Sequence, residues 1–468
     1  MSLAFDIYYR CPVWLQNMLV SGQGLRLRRL RYGGLHDHRL TALLRSQWLG
    51  PEQIQALQLT LLSGTLRHAR ETVPLYQERG LPAQELRDFE ELRAVAILRK
   101  DDLRAPFHQI VSRNYHSQRL SEVHTGGTTG KPLTIYCDRR TLQHNFAFFS
   151  RLRAWAGIEP GARTATFAGR TIVAPAQQRP PYWRKNAASN AMLFSSYHLS
   201  PDTLPDYVRG LTDFAPALID SYPSSIEPIA RYLRDQRITS IRPRAIVTSS
   251  ETLYPAVRTL IQEAFACPVF DYYGAAEMAA LVTQCEAGSY HVNPEFGFLE
   301  LLQNGEPVRA GESGEIIATG FLNPVMPLIR YATGDIASWK AGDCSCGRSF
   351  PRLEQIEGRK DDVIITPEGR RVGRLDPIFK AVSSIHEAQI VQQRLDHIEV
   401  QLVGDSIPPG EEAALRDELR RRLGSSMRID LVLVPRIERS TAGKLRTVVN
   451  RMGSRSESDS QPNDGTVS

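Results

Sequence analysis

Between about residues 120 and 340 the chain alternates two kinds of apolar pattern, and this alternation limits its fold more than any other feature. Short β-rich runs, RTATFA, RAIVTSS, CPVFDYYG and GEIIATG, are interleaved with stretches such as SIEPIARYLRDQ and AVRTLIQEAFA, whose apolar residues recur at helical spacing. Strands that alternate with helices place helical layers on a sheet, so an α/β layered core is expected here.

The flanks read differently. EQIQALQLTLLSGTLRHARE carries its apolar positions at helical spacing, which makes residues 1–119 the mainly helical start of a large domain, 1–357. A break near IEGRKDD precedes a small α+β domain, 358–450. There IHEAQIVQQRLDHIEVQLVG, EEAALRDELRRRLG and RIDLVLV read as strand, strand, helix and strand. The tail 451–468 has no aromatic residue and almost no apolar one, which predicts disorder.

At 468 residues the chain can bury more than one core. With 42% hydrophobic and 23% charged residues, and no apolar run near ~18 residues, it reads as soluble and globular, with no membrane insertion. The start, MSLAFDIYYRCPVWLQNML, holds Asp6 and Arg10 inside its apolar stretch and lacks a small-residue cleavage site. No signal peptide is read there, and a cytoplasmic location is expected. Arg26, Arg28, Arg29, Arg31, Arg39 and Arg45 crowd the beginning of the chain. Such a run suits a membrane surface, a nucleic acid, a polyanionic cofactor or simply a solvated face. No zinc-finger or aromatic-basic signature supports nucleic acid.

The stretch HTGGTTGKPLTIYCD, His124 to Asp138, sets a Gly/Thr-rich loop beside Lys131. Glycines bare their N–H groups toward an anion, so phosphate is the first candidate ligand. A P-loop is excluded: its first glycine would fall at Thr125, Pro132 occupies the position of the magnesium-binding hydroxyl, and LTIYC alternates like a strand. A loop between two strands fits better, whether as an ordinary hairpin turn or as a phosphate cradle of another kind.

Further segments follow in order: TSSETL (Thr248 to Leu253), DYYGAAE (Asp271 to Glu277), YATGD (Tyr331 to Asp335), GRKDD (Gly358 to Asp362) and RSTAGKLR (Arg439 to Arg446). Gly-Asp and Gly-Arg pairs occur in turns everywhere; the order and separation of these segments are what carry weight. Together with the Gly/Thr loop they resemble the adenylate-forming superfamily of acyl-CoA synthetases, adenylation domains and luciferases, over residues 120–450. The resemblance implies the fold of that superfamily, a large multi-layered α/β amino-terminal domain with a small α+β carboxy-terminal one. It also implies ATP-dependent activation of a carboxylic acid as an acyl-adenylate, followed by transfer to CoA. An amine, sugar or carrier protein as acceptor, or an AMP transferase that keeps AMP on its product, stays open, as do the identity of the acid and a homodimeric state.

The resemblance assigns roles residue by residue. Thr125, Gly126, Gly127, Thr128, Thr129, Gly130 and Lys131 correspond to the loop around the departing phosphates, with Thr128 and Thr129 offering hydroxyls. Ser250, Glu251, Tyr272 and Tyr273 correspond to the adenine surroundings, and Glu277 to the carboxylate that holds Mg2+. Asp335 corresponds to the acceptor of both ribose hydroxyls, Arg359 to an arginine near ribose and phosphate, and Lys444 to the mobile lysine of adenylation. Asp361 or its neighbour Lys360 corresponds to the hinge of the small domain. Tyr222 and the small Ala275 would border the acid pocket. The pattern departs from the superfamily at Ala332, with an arginine at Arg330 instead, and at Ala275 and Ala276 before the glutamate.

Six cysteines in a chain of this class are free or metal-bound rather than paired. Cys285 and His291 in QCEAGSYHVNPE and Cys344 and Cys346 in GDCSCGRSFP make a three-thiolate, one-imidazole set suited to tetrahedral zinc, although spacing alone leaves scattered cysteines equally open. The phenylacetate–CoA ligase branch often carries such a site, which implies a structural Zn2+ here. YYRCPVWLQNML with RLRRLRYGG, FAGRTIVAP, SSYHLSP, DSYPSSIEPIA and TGFLNPVMPLIRYATGD resemble the CapK-like and coenzyme F390 synthetase-like members of that branch.

Overall fold

The computed structural model describes residues 3–124, 133–174, 176–253, 255–359, 364–368, 371–372, 375, 378–379, 382, 384–385, 387–404, 406–438 and 445–452. The described residues up to Gly358 form one compact unit and those from Arg359 another. The start is helical: α1 (Leu3–Arg10), α2 (Val13–Arg31), α3 (Gly34–Ser46), α4 (Pro51–Thr72), α5 (Pro74–Arg79) and α6 (Phe107–Ile110). On α4 the buried residues Ile54, Gln58, Leu62, Leu66 and Ala69 recur every three or four positions, which aligns them on one face.

A two-stranded ribbon follows, β1 (Ser121–His124) and β2 (Thr134–Cys137), antiparallel with His124 opposite Thr134. The flanks of the Gly/Thr loop are thus strands, as its sequence predicts. Asp138 then accepts a hydrogen bond from the Thr141 N–H (2.7 Å) and caps α7 (Arg139–Trp155).

The α/β centre comprises β3 (Thr164–Phe167), β4 (Trp183–Asn186), β5 (Ala191–Phe194), α8 (Leu204–Phe214), β6 (Leu218–Ser221), α9 (Pro223–Asp235), β7 (Ala245–Ser249), α10 (Pro255–Phe265) and β8 (Val269–Gly274). Strands β5, β3, β6, β7 and β8 are parallel neighbours. They are buried on both faces, as parallel sheets must be. Ile219 and Ile246 point into a core with α8, α9 and α10, while Leu218, Ala245 and Val247 point into another that includes Leu152 of α7. Helix α9 meets its core with Ile226, Ile229, Ala230 and Leu233, spaced as a helical stripe requires.

The chain continues through β9 (Leu281–Gln284), β10 (Tyr290–Val292), β11 (Gly297–Gln303), β12 (Glu306–Pro307), β13 (Ser313–Gly320), β14 (Tyr331–Lys340) and β15 (Arg352–Arg359). Among the described residues these join the parallel strands in one sheet of order β12-β11-β13-β14-β15-β10-β9-β8-β7-β6-β3-β5-β4.

The second unit has a short hairpin, β16 (Ile364–Ile365) with β17 (Arg371–Val372), and strands β18 (Glu387–Arg394) and β19 (His397–Val403). Helix α11 (Pro409–Leu423), β20 (Arg428–Leu433) and β21 (Val448–Asn450) complete it, in sheet order β20-β19-β18-β21. Leu415, Leu419 and Leu423 of α11 cover Ile390, Ile398, Val400 and Leu402. The molecule is of the α/β class with a smaller α+β part, as its alternation implies. The tail expectation falls on residues 453–468, outside the described residues. Among the described residues no helix is long and apolar enough to cross a membrane.

One buried ion pair ties the helical start to the sheet. Arg151 of α7 is fully buried and donates to Glu295 through Nη1 (2.8 Å) and Nη2 (3.1 Å), to Asn293 Oδ1 (2.5 Å) and to the Leu43 carbonyl (3.2 Å). Ser46 of α3 donates to the same carboxylate (2.5 Å). Burial pushes the Glu295 carboxyl up, but the Arg151 charge and these hydrogen bonds outweigh it and leave its pKa below the ordinary value. A carboxyl depressed on folding contributes stability that is fully present above its unfolded pKa, about 4.3, and is lost as pH falls from there through its lower folded pKa. Arg151→Met strands a buried carboxylate and should cost about 3–5 kcal/mol, read as a lower urea midpoint near neutral pH. The gap between parent and variant should narrow as the pH is lowered below that of the unfolded carboxyl.

Candidate functional site

Strands β7 and β8 run parallel, with Ser249 opposite Tyr272, so the segments TSSETL and DYYGAAE leave the sheet side by side at its carboxyl edge. Loops at that edge are where α/β folds open their ligand sites. Asp271, the first residue of the second segment, is buried and accepts from Thr248 Oγ1 (2.6 Å) and Tyr290 Oη (2.7 Å). Burial pushes its carboxyl up to about 6, against those two hydrogen bonds. Ser250 is exposed and sits at φ 70°, a left-handed conformation that costs a non-glycine residue about 1–2 kcal/mol.

The YATGD segment, on β14, reaches the same place. Tyr273 Oη donates to Asp335 Oδ2 (2.7 Å), and Tyr331 Oη donates to Glu277 Oε1 (3.1 Å). Burial, and then the Asp335 charge, hold the Tyr273 phenol well above its ordinary pKa, so it stays a donor. In the sheet order β14 lies four places from β8, which in a flat sheet would be about 19 Å. Side-chain hydrogen bonds across that interval require the sheet to curl back on itself.

Beside this cluster lies a cavity of about 1120 Å³. Ser250, Tyr272, Gly274, Ala275 and Ala276 form one wall, Ser121 to Val123 of β1 and Asn145, Phe146 and Phe149 of α7 form others, and Arg26, Arg29 and Arg31 of α2 close it. Three arginines of the basic start, Arg26, Arg29 and Arg31, thus border the cavity. Tyr222 does not line it: it precedes α9, and its hydroxyl donates to the Ala168 carbonyl (3.2 Å). Thr125, Gly126, Gly127, Thr128, Thr129, Gly130 and Lys131, together with Lys360, Asp361 and Lys444, lie outside the described residues. Arg359 ends β15, and its side chain is likewise not described.

A second cluster joins segments far apart in sequence. Strand β10 pairs with β15, His291 opposite Arg352, which draws the loop before β15 against the turn before β10. Cys285, His291, Cys344 and Cys346 then hold four donor atoms within 4.8 Å of one another. The Cys285 and Cys344 sulfurs are 3.7 Å apart, and Cys346 Sγ is 3.3 Å from His291 Nε2. Donors about 2.3 Å from one tetrahedral ion stand about 3.8 Å from each other, so this set fits such an ion. Burial lowers the His291 pKa to about 4, keeping the imidazole neutral. Its Nδ1 faces the Phe350 carbonyl (3.4 Å), which leaves Nε2 for the cluster.

Comparisons with known proteins find relatives over most of the chain. Residues 364–451 match the model of the CapK C-terminal domain. The chain is 26% identical over 453 residues to protein CapK of Staphylococcus aureus, covering 95% of this chain and 99% of that one. It is 25% identical over 440 residues to the phenylacetate-coenzyme A ligase of Thermus thermophilus, covering 85% and 97%. In fold it is similar to 2-hydroxyisobutyryl-CoA ligase in its postadenylation state, with a TM-score of 0.68, 20% identity, and 87% and 91% of the two chains covered. The chain is thus similar to CapK and to phenylacetate-coenzyme A ligases over most of its length, and in fold to an acyl-CoA ligase.

Two charged residues of the chain have partners that the motifs alone do not suggest. Glu251 accepts from the Ser224 N–H and hydroxyl, both at 2.9 Å, and so caps the amino terminus of α9. Arg330 is turned into the core, bidentate to Glu300 (2.9 and 3.0 Å) and donating to the Arg93 and Val95 carbonyls. The arginine displaced from the YATGD motif therefore serves the packing of β11 and the helical start. Glu251→Ala uncaps α9 and should lower the chain's stability by about 1 kcal/mol, seen as a lower thermal midpoint.

Proposed function

We propose that this chain activates a carboxylic acid with ATP and passes the acyl group to CoA. The observation that carries this reading is the convergence of Tyr273 with Asp335 and of Glu277 with Tyr331 beside the cavity. In the first half-reaction a substrate carboxylate oxygen attacks the α-phosphorus of ATP and pyrophosphate leaves; in the second the CoA thiol displaces AMP. Asp335, oriented by Tyr273, would accept the two ribose hydroxyls, with Tyr272 and Ser250 near the base. Glu277 would hold Mg2+, which supplies charge neutralisation at the phosphates. Thr125 to Lys131, with Thr129 foremost, would hold the departing phosphates, Lys444 would meet the charge gathered between carboxylate and phosphate, and Asp361 would be the hinge. Similarity to phenylacetate-coenzyme A ligases supports CoA as the acceptor.

Pyrophosphate exchange with a panel of aryl and aliphatic acids tests the first half-reaction; absence of exchange with every acid, in folded protein, contradicts it. Asp335→Asn should raise the KM for ATP about ten-fold or more, since a charge-assisted hydrogen bond contributes about 1.5–3 kcal/mol. Lys444→Ala should slow exchange about 10²-fold or more while leaving ATP binding measurable.

The four-donor cluster supports a bound Zn2+ held by Cys285, His291, Cys344 and Cys346, with no position left open for substrate. Elemental analysis should give one zinc per chain, and Cys346→Ser should lose it and lower the thermal midpoint. A metal-free parent of unchanged stability would refute this site.

A further inference from the structure

Helix α2 meets the edge of the large sheet through polar side chains and leaves several apolar ones in solvent. Its packed side is polar: Asn17 Oδ1 accepts from the Lys185 N–H (2.8 Å), Ser21 Oγ accepts from the Ala187 N–H (3.0 Å), and Arg28 Nη1 donates to the Ala188 carbonyl (3.2 Å). Gly24 lies on the same face, where a Cβ would run into the Asn186 side chain. Spacings of four, three and four residues align these positions along the helix. The face covers β4, the edge strand of the large sheet, and satisfies backbone groups that a bare edge leaves open.

The flank beside that face carries Trp14, Met18 and Leu25, which are 63%, 62% and 42% exposed, and Ile7 of α1 is 59% exposed. Helices of globular proteins turn their apolar stripe to the core, so this arrangement leaves apolar area for something else to cover. The surrounding charge selects the occupant. Helix α2 contains no acidic residue and ends in Arg26, Arg28, Arg29 and Arg31, and Arg10 closes α1. Among the described residues no carboxylate lies within ion-pair distance of Arg10, Arg26, Arg28 or Arg29. A second copy docked through the same face would set these arginines against one another with Asp6 as the one acid of α1 and α2 to offset them. An anionic lipid surface meets both halves of the pattern, with the indole at headgroup depth, the aliphatic side chains at the acyl boundary and guanidinium groups on phosphate. We infer that α1 and α2 dock this chain on an anionic membrane surface, lying in the interface without crossing it.

Flotation of the full chain with mixed phosphatidylglycerol and phosphatidylcholine vesicles, against phosphatidylcholine alone, reads this directly. The chain should float with the anionic vesicles, stay behind with the neutral ones, and be released as salt rises. Trp14→Ser with Met18→Ser should lower partitioning roughly ten-fold or more. Arg10→Gln with Arg29→Gln should lower it roughly twenty-five-fold, at about five-fold per charge. All four side chains are exposed, so both variants should keep the parent's thermal midpoint. Equal flotation with neutral vesicles, no flotation with either, or variants that float like the parent would overturn the inference. A concentration-dependent dimer lost in the Trp14/Met18 variant, without vesicle binding, would assign the face to a second copy.

Discussion

The guanidinium of Arg151 stands fully buried among Glu295, Asn293 and the Leu43 carbonyl, and joins the helical start of the first unit to its sheet. Through Ser46 and Leu43 it fixes α3 against α7; through Asn293, whose amide donates to the Leu281 carbonyl and Thr283, it fixes both to β9. A buried ion pair contributes little against a well-packed apolar alternative, because desolvating two charges offsets most of their attraction. Its effect is on uniqueness: a fork-shaped donor facing a carboxylate and an amide is satisfied in one arrangement, and slippage of α7 along the sheet would leave charges stranded. That matters because Asn145, Phe146 and Phe149 of α7 line the cavity, opposite Tyr272 and Ala275. A residue outside the cavity's lining thus helps to hold the helix that forms one of its walls.

The cysteine cluster constrains the far end of the same region. Strand β9 runs from Leu281, beside the cavity, to Gln284, next to Cys285, so one strand connects the two clusters. Gln284 Oε1 also accepts from the Asp271 N–H (3.1 Å) and from Arg258 (2.6 Å), which ties β8 to the strand leading into the cysteines. A closed four-donor site at that point would hold the β9–β10 turn and the loop before β15 together, where short strands offer few backbone hydrogen bonds.

Much of the fold was legible because its signals are local. Helical stripes such as Ile226, Ile229, Ala230 and Leu233, and the strand after Pro132, follow from periodicity within a few residues. The small unit's strand, strand, helix, strand order was legible for the same reason. Its hairpin β16–β17 and its strand β21 were not, since runs of two or three residues carry no period. The candidate site was legible as a set of motifs and not as a geometry. Nothing in YATGD says that Asp335 meets Tyr273, because that contact depends on the curl of strands between them. The four metal-ligand candidates became a cluster only through the β10–β15 register. Glu251 and Tyr222 read as ligand-facing by position, yet their described partners are the α9 terminus and the Ala168 carbonyl. A motif fixes residue identity, while the partner that a side chain chooses is a tertiary decision.

The start of the chain shows the same limit from the other side. Its arginines were visible in composition, but a charge run has no direction until the helix carrying it is docked. An edge strand such as β4 must be covered, and a polar helix face is the means that leaves its backbone groups bonded. With Asn17, Ser21, Gly24 and Arg28 committed to that task, Trp14, Met18 and Leu25 fall on the adjoining flank of the helix, in solvent. The exposed apolar stripe thus lies beside the edge-protecting face, and retaining a tryptophan and a methionine there, where any polar residue would satisfy the edge equally well, is what gives that flank a meaning beyond folding.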